Sequence, residues 1–168
     1  MKGEMNLISL IRNDDRLIHG QCMVRLVQHF KLTRIIVVDD MTASNSILKM
    51  VFEKAAMPGM TINVYTHEES IEHIKAAVVD NVSTMVVFRF PTTAKYLFDN
   101  VPDLPKVVMV GPCQMRPGCK TIMNGTYVSD EEIEVIKELV EERGVEVYFQ
   151  VVPDMPRLDW KDVKNKLA

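Results

Sequence analysis

The sequence predicts an α/β fold: one domain built on an open, mostly parallel, doubly wound sheet of about six or seven strands with helices on both faces. Three observations predict it. The short apolar runs are continuous rather than alternating, amphipathic stretches of helical period lie between them, and the two kinds alternate along the chain. A strand buried on both faces carries no polar alternation, which is the signature of a sheet enclosed by helices. The 168 residues fit one domain, and no repeat, low-complexity tract or linker divides them.

The strands are expected at residues 7–11, 35–38, 62–65, 85–88, 107–110 and 145–151, with a further short one near Tyr127. Ile62 and Val64 alternate with polar neighbours, which places that strand toward an edge. Helices are expected where apolar residues recur at i, i+3, i+4, i+7. These stripes are Met23, Leu26, Val27, Phe30; then Leu48, Val51, Phe52, Ala55; then Ile71, Ile74, Val78; and Ile133, Ile136, Val140. Thr66 with Glu69, and Ser129 with Glu132, read as capping boxes. Pro58-Gly59 ends one helix and Gly144 another. Residues 153–168 form a C-terminal tail in which Trp160, Val163 and Leu167 have helical spacing and pack a last helix on the domain. The apolar faces suffice for the domain's own core and leave no excess patch, and the 12 methionines read as core filler.

Composition excludes several classes. Hydrophobic residues at 47% and charged residues at 26% exclude disorder. The net charge of −3 argues against a nucleic-acid partner, which selects basic chains. Three cysteines, Cys22, Cys113 and Cys119, make no disulfide framework and have no zinc spacing, so no metal site is expected. The start of the chain carries no signal-peptide pattern and no apolar run spans a membrane, so the expected location is the cytoplasm.

Charge and nucleophilic chemistry concentrate after the first strand, in Arg12-Asn13-Asp14-Asp15-Arg16-Leu17-Ile18-His19-Gly20-Gln21. In doubly wound sheets ligands sit beyond the carboxyl ends of the strands, where this loop lies. His19 stands at a helix start, whose free amides and dipole favour an anion. Gly20 leaves the backbone open to close approach. Arg12 and Arg16 offer planar forks suited to phosphate. A neutral imidazole is a nucleophile, and Asp14 or Asp15 can orient it through its other nitrogen. Together these groups suit transient phosphorylation of His19, a reaction that needs positioning and charge stabilisation above all. Arg89, directly after the fourth strand, is a further candidate for a phosphate or partner contact. Asp39 and Asp40 read as caps of the next helix with Thr42. Gly111–Thr121 has no Gly-Lys-Ser/Thr ending and is no nucleotide loop. His29, His67 and His73 read as surface histidines.

The signature from Arg12 to Gln21 resembles the active-site segment of the IIB components of the mannose/fructose/sorbose family of bacterial sugar phosphotransferase systems. The resemblance extends to Ile35-Ile36-Val37-Val38-Asp39-Asp40, to Ala55-Ala56-Met57-Pro58-Gly59 and to Tyr127-Val128-Ser129-Asp130-Glu131-Glu132. It implies that the whole of 1–168 is one sorbose-type IIB domain acting as a protein-N(π)-phosphohistidine–sugar phosphotransferase. His19 would receive a phosphoryl group from phosphorylated IIA and pass it to a sugar entering through the membrane components IIC and IID, which would hold the chain at the inner face of the membrane. The resemblance puts phosphate stabilisation on Arg16 and orientation on Asp14, with Asp15 as rival. Arg12, Gly20 and Gln21 match the motif as phosphate-binding residues, and no cofactor is implied. Mannose, fructose, sorbose and amino sugars are candidate substrates, and a homo-oligomer stays open. Gly111-Pro112-Cys113 departs from two glycines in many relatives, and Cys22 stands where valine is more usual. Two other readings compete: a receiver-like signalling module phosphorylated on aspartate, and a non-catalytic sugar-binding regulator on the same fold.

Overall fold

The computed structural model describes residues 8–167, so Leu7, named as the start of the first strand, lies outside the described residues. In chain order the elements are β1 (Ile8–Asn13), α1 (Gly20–Phe30), β2 (Arg34–Val38), α2 (Asp40–Ala43), α3 (Ser46–Lys54), β3 (Thr61–Tyr65), α4 (His67–Val79), β4 (Thr84–Phe88) and α5 (Pro91–Asn100). They continue with β5 (Val107–Val110), β6 (Lys120–Met123), β7 (Thr126–Val128), α6 (Asp130–Glu141), β8 (Glu146–Phe149), β9 (Leu158–Asp159) and α7 (Trp160–Leu167). The main sheet has seven strands in the order β3-β2-β4-β1-β5-β8-β9. Every pairing in it is parallel except β8 with β9. β6 and β7 form a separate antiparallel hairpin.

Alternate side chains of each strand feed two cores, as the pleat requires. Ile36, Val38, Val86, Phe88, Val108 and Val110 join α4, α5, α6 and α7 on one face. Ile35, Val37, Met85, Val87 and Met109 meet α1 on the other. Both capping boxes form as the sequence predicts, Thr66 with Glu69 and Ser129 with Glu132. β3 is an edge strand, and the Val64 amide on it donates to the Glu53 carboxylate of α3 at 3.2 Å. The tail packs down through Trp160 and Val163.

Two expectations about packing are corrected. The stripe on α3 meets the core only in part: Phe52 packs against the α1-side cluster, whereas Leu48 and Val51 are exposed together with Ile47 and Met50. The helix lies over the sheet edge, where its polar Glu53 is used, so part of its apolar side faces outward. The methionines are not uniformly core filler. Met85 and Met109 are buried, whereas Met41, Met50, Met115 and Met155 are exposed.

The site is positioned by topology. β1 lies between β4 and β5. From β1 the chain leaves toward β2, and from β4 it leaves the opposite way, over β1 to β5. Connections that part in opposite directions open a crevice at the carboxyl ends of the strands. The 14–19 loop and Arg89 both stand there. The order 3-2-4-1-5 also differs from the 2-1-3-4-5 order of receiver-like modules.

Candidate functional site

β1 runs two residues further than its apolar run because Arg12 and Asn13 pair with both neighbours, β4 and β5. Asp14 then turns the chain. Its carbonyl accepts from the Leu17 amide at 2.9 Å, and its carboxylate accepts from the Arg16 amide at 3.1 Å. Leu17 stands at φ 60°, in the left-handed region that a branched residue enters only under constraint. Its buried side chain in the α1 core supplies that constraint. The turn delivers His19 to the N-cap of α1.

This helix mouth is open. Side chains cap α2, α3, α4 and α6 through Asp39, Asn45, Thr66 and Ser129. His19 makes no such bond, and the first turn of α1 holds no acid. The Met23 amide is the first to turn inward, to the His19 carbonyl, so the amides of Gly20, Gln21 and Cys22 precede it at the mouth. Gly20 has φ +38°, and a Cβ there would meet nothing within 4 Å, so its side of the backbone is clear. Gln21 is exposed beside it.

The imidazole of His19 is 24% exposed, and its Nδ1 lies 3.9 Å from Asp14 Oδ1. That is beyond hydrogen-bond length but within reach of a charge. Nδ1 is buried and has no hydrogen-bond partner. Burial pushes the Asp14 carboxyl above its ordinary value, against Arg12, His19 and the Arg16 amide, which pull it down. Of the two rival acids, the structure brings Asp14 to the ring. Asp15 faces the loop after β5: its carboxylate accepts from the Gln114 amide, and its own amide donates to the Pro112 carbonyl. Pro112 thus contributes its carbonyl to the loop, as a glycine there would, and lacks the N–H donor that a glycine would add.

Arg16 is exposed, and among the described residues its guanidinium makes no hydrogen bond or ion pair. Arg12 is different. It is wholly buried, and it binds Asp14 Oδ2 through Nη2 at 3.0 Å and Nε at 3.3 Å. Its remaining donors reach the Val151 carbonyl at 2.8 Å and the Gln150 carbonyl at 3.5 Å, with Met109 Sδ alongside. A direct phosphate contact for Arg12 does not fit this placement: the guanidinium stands behind Asp14 as its buried counter-ion. Arg89 also spends its fork inside the protein, on the Asp39 carboxylate at 3.1 Å, the Asp15 carbonyl at 2.6 Å and Thr42 Oγ1 at 3.5 Å. It ties the 14–19 loop to the start of α2.

Sequence reasoning missed two parts of this arrangement. Gly111 lies directly against Arg12, and a Cβ there would come within 2.3 Å of Nη2. The signal available was a glycine immediately after a buried strand. His67, read as a surface histidine, instead pairs with Asp40 at 2.8 Å and reaches Thr93 Oγ1 through Nε2, also at 2.8 Å.

The comparisons accord with this geometry. The family described as "PTS system sorbose subfamily IIB component" matches residues 8–168. The mannose-specific EIIAB component of Escherichia coli K12 is 31% identical over 161 residues, covering 96% of this chain and 49% of that protein. This chain therefore spans about half the length of that relative. The N-acetylgalactosamine-specific phosphotransferase enzyme IIB component 1 of the same organism is 34% identical over 148 residues, covering 87% of this chain and 91% of the relative. Among solved structures, the IIBSor domain of the sorbose permease from Klebsiella pneumoniae superposes with a TM-score of 0.84 at 25% identity, over 96% of this chain and 98% of that one. The chain belongs to the sorbose subfamily of phosphotransferase-system IIB components.

Among the described residues, no helix is long and apolar enough to cross a membrane, and no three His, Cys, Asp or Glu side chains gather as metal ligands.

Proposed function

We propose that this chain is a phosphoryl carrier in sugar uptake: His19 accepts a phosphoryl group from a phosphohistidine on a IIA protein and delivers it to a hexose or amino sugar entering through IIC and IID. The observation that carries this reading is the placement of His19 at an uncapped helix mouth, with Asp14 at 3.9 Å from Nδ1 and the exposed Arg16 three residues earlier in the same loop. As the bond from phosphorus to the donor nitrogen breaks, the bond to His19 forms. The phosphoryl charge then meets the free amides of Gly20, Gln21 and Cys22, the dipole of α1 and the Arg16 guanidinium. Asp14, with Arg12 behind it, balances the charge that the imidazole gains. The relatives named for mannose, sorbose and N-acetylgalactosamine support a hexose or amino sugar as acceptor. The same reading holds the chain at the inner face of the membrane through IIC and IID.

The resting ring has its Nδ1 buried. Acceptance at N(π), which is Nδ1, therefore requires the side chain to reorient so that this nitrogen faces outward. Phosphorus–nitrogen correlation spectra distinguish phosphorylation at Nδ1 from phosphorylation at Nε2.

Incubation with phosphorylated IIA should give acid-labile, base-stable label on the wild type and none on His19→Ala. Full labelling of that variant would remove His19 from the mechanism, and a base-labile acyl phosphate would instead favour an aspartate.

A further inference from the structure

The buried charge of Arg12 is held from two sides, and the second side lies far along the chain. An arginine carries five N–H donors. Toward the motif, Nε and Nη2 reach Asp14. Away from it, Nη2 also reaches the Val151 carbonyl at 2.8 Å, and Nη1 reaches the Gln150 carbonyl at 3.5 Å. The remaining contact, Met109 Sδ, is a weak acceptor. Asp14 and these two carbonyls are thus the strong acceptors. Residues 150 and 151 follow directly on β8, which runs parallel to β5 as β5 does to β1. The two carbonyls therefore stand at the same edge of the sheet as the 14–19 loop.

Two main-chain carbonyls serve a buried cation only while the turn that carries them keeps its shape. The Gln150 side chain keeps it. Its Nε2 donates to the Pro153 carbonyl at 3.2 Å and to the Met155 carbonyl at 2.8 Å, so both amide protons are spent on the turn. The Gln150 backbone amide donates to the Val110 carbonyl at 3.0 Å, which fixes the start of the turn to β5. Val152, inside the turn, is buried. The turn also meets α1 through Arg25 and Asp154 at 3.2 Å, a pair exposed on both sides.

We infer that Gln150 is a positioning residue for phosphoryl transfer at His19: it folds the 150–155 turn so that two carbonyls hold Arg12 against Asp14, the acid that faces the imidazole. The inference rests on the phosphocarrier reading and extends its machinery to a residue 138 positions from Arg12. Gln150 touches neither the ring nor the phosphoryl group and acts through Arg12 and Asp14. Arg12 is wholly buried, so a donor that loses its carbonyl there has no water to turn to and carries its full desolvation cost. The guanidinium then shifts toward another acceptor. The carboxylate that moves with it is the one 3.9 Å from His19 Nδ1.

The test uses the full chain. Gln150→Met and Gln150→Glu keep side-chain length and remove the two donors; Gln150 is only half-buried, and the Met variant brings no new charge. Asp154→Asn loosens the same turn at its exposed ion pair and leaves the Gln150 bonds alone. Labelling of His19 from phosphorylated IIA should slow by about 10- to 100-fold in both Gln150 variants, the scale of misplacing a reacting group by up to an ångström, and stay near wild type in Asp154→Asn. Nitrogen-15 spectra of the histidine rings read the cause. The His19 ring signals should move in the folded Gln150 variants, while those of His73, exposed on α4 and stacked on Tyr65, stay in place. A merely structural role would lower the folded fraction without moving the His19 signals of the folded protein. Wild-type labelling rates in both Gln150 variants would overturn the assignment. An equal loss in Asp154→Asn, or slowed labelling with unmoved His19 signals, would do the same. Failure of the phosphocarrier reading looks different: phosphorylated IIA would leave His19 unlabelled in the wild type, and the ring signals would still report whether Gln150 reaches the imidazole.

Discussion

Gly111→Ala is the most informative single change outside the reacting groups. The added Cβ would lie 2.3 Å from Arg12 Nη2 and 2.5 Å from its Cζ. Gly111 is buried, and its backbone is not in the left-handed region, so the effect is steric rather than conformational. Ordinary contact needs a separation of at least 3.4 Å, so the guanidinium must retreat by about 1 Å. It has little space for this, because Arg12 is fully buried and held on several sides. A shift of that size stretches the Nη2 bonds to Asp14 (3.0 Å) and to the Val151 carbonyl (2.8 Å). Hydrogen bonds to a charged group contribute about 1.5–3 kcal/mol each, and overpacking a core costs about 1–3 kcal/mol. Allowing for partial relaxation, the expected loss is about 3 kcal/mol. For a chain of this size that lowers Tm by about 6–12 °C. Urea denaturation followed by circular dichroism measures it, and labelling from phosphorylated IIA measures the consequence for His19, which should fall because Asp14 loses its buried counter-ion. A stability within about 0.5 kcal/mol of wild type, the usual scatter of neutral surface changes, would refute the claim that Arg12 is clamped. Normal labelling in a destabilised variant would refute the link from Arg12 through Asp14 to the imidazole.

The remaining predictions follow from exposure. Arg16→Ala should leave the melting temperature near wild type, because the side chain is exposed and makes no bond among the described residues. It should slow delivery to sugar by up to about 100-fold, the lower end of the scale for losing one preorganised charge donor; an unchanged sugar-transfer rate would contradict its role at the phosphate. Cys113 is buried, and burial, reinforced by Asp15, Asp14 and Glu132, pushes its thiol up to about 12. Only the thiolate reacts readily, so maleimide at pH 7 should modify Cys22 and Cys119 in the native protein and reach Cys113 only after denaturation, as peptide mass mapping would show. Fast native modification of Cys113 would mean that the loop after β5 opens freely.

The fold was legible where burial on both faces leaves its mark. β2, β4 and β5 are uninterrupted apolar runs, and they appear where the sequence places them, to within one residue. The edge position of β3 was visible in its alternation. The ends of β1 and β8 were not visible, for one physical reason. Arg12 and Asn13 look like loop residues, yet the strand continues through them because Asp14 and the carbonyls of Gln150 and Val151 supply partners for the buried guanidinium. Those same carbonyls, spent on Arg12, lie beyond the end of β8, which the apolar run placed at 151. Four residues apart in one motif, Arg12 and Arg16 look alike in sequence and do opposite work, since strand pleat and turn geometry decide which one faces water. The α3 stripe misled because periodicity reports that a helix has an apolar side and not what that side meets. α5 was missed as a stripe because Thr93 and Ala94 contribute to its buried side without an obvious apolar period.

The two margins of the sheet bear on how copies of this protein meet. On one margin the Glu53 carboxylate occupies the Val64 amide. On the other, β9 has only two residues and leads straight into α7. On the first margin a carboxylate thus takes up a backbone donor that a stranger's extended segment would use, and on the second the strand is too short to offer much of a ladder, both of which work against edge-to-edge pairing, the usual route to runaway polymerisation. Beside the first margin, the exposed Ile47, Leu48, Met50 and Val51 of α3 set apolar side chains next to that guarded edge, a surface on which contact between copies would be made by side chains instead of by strands.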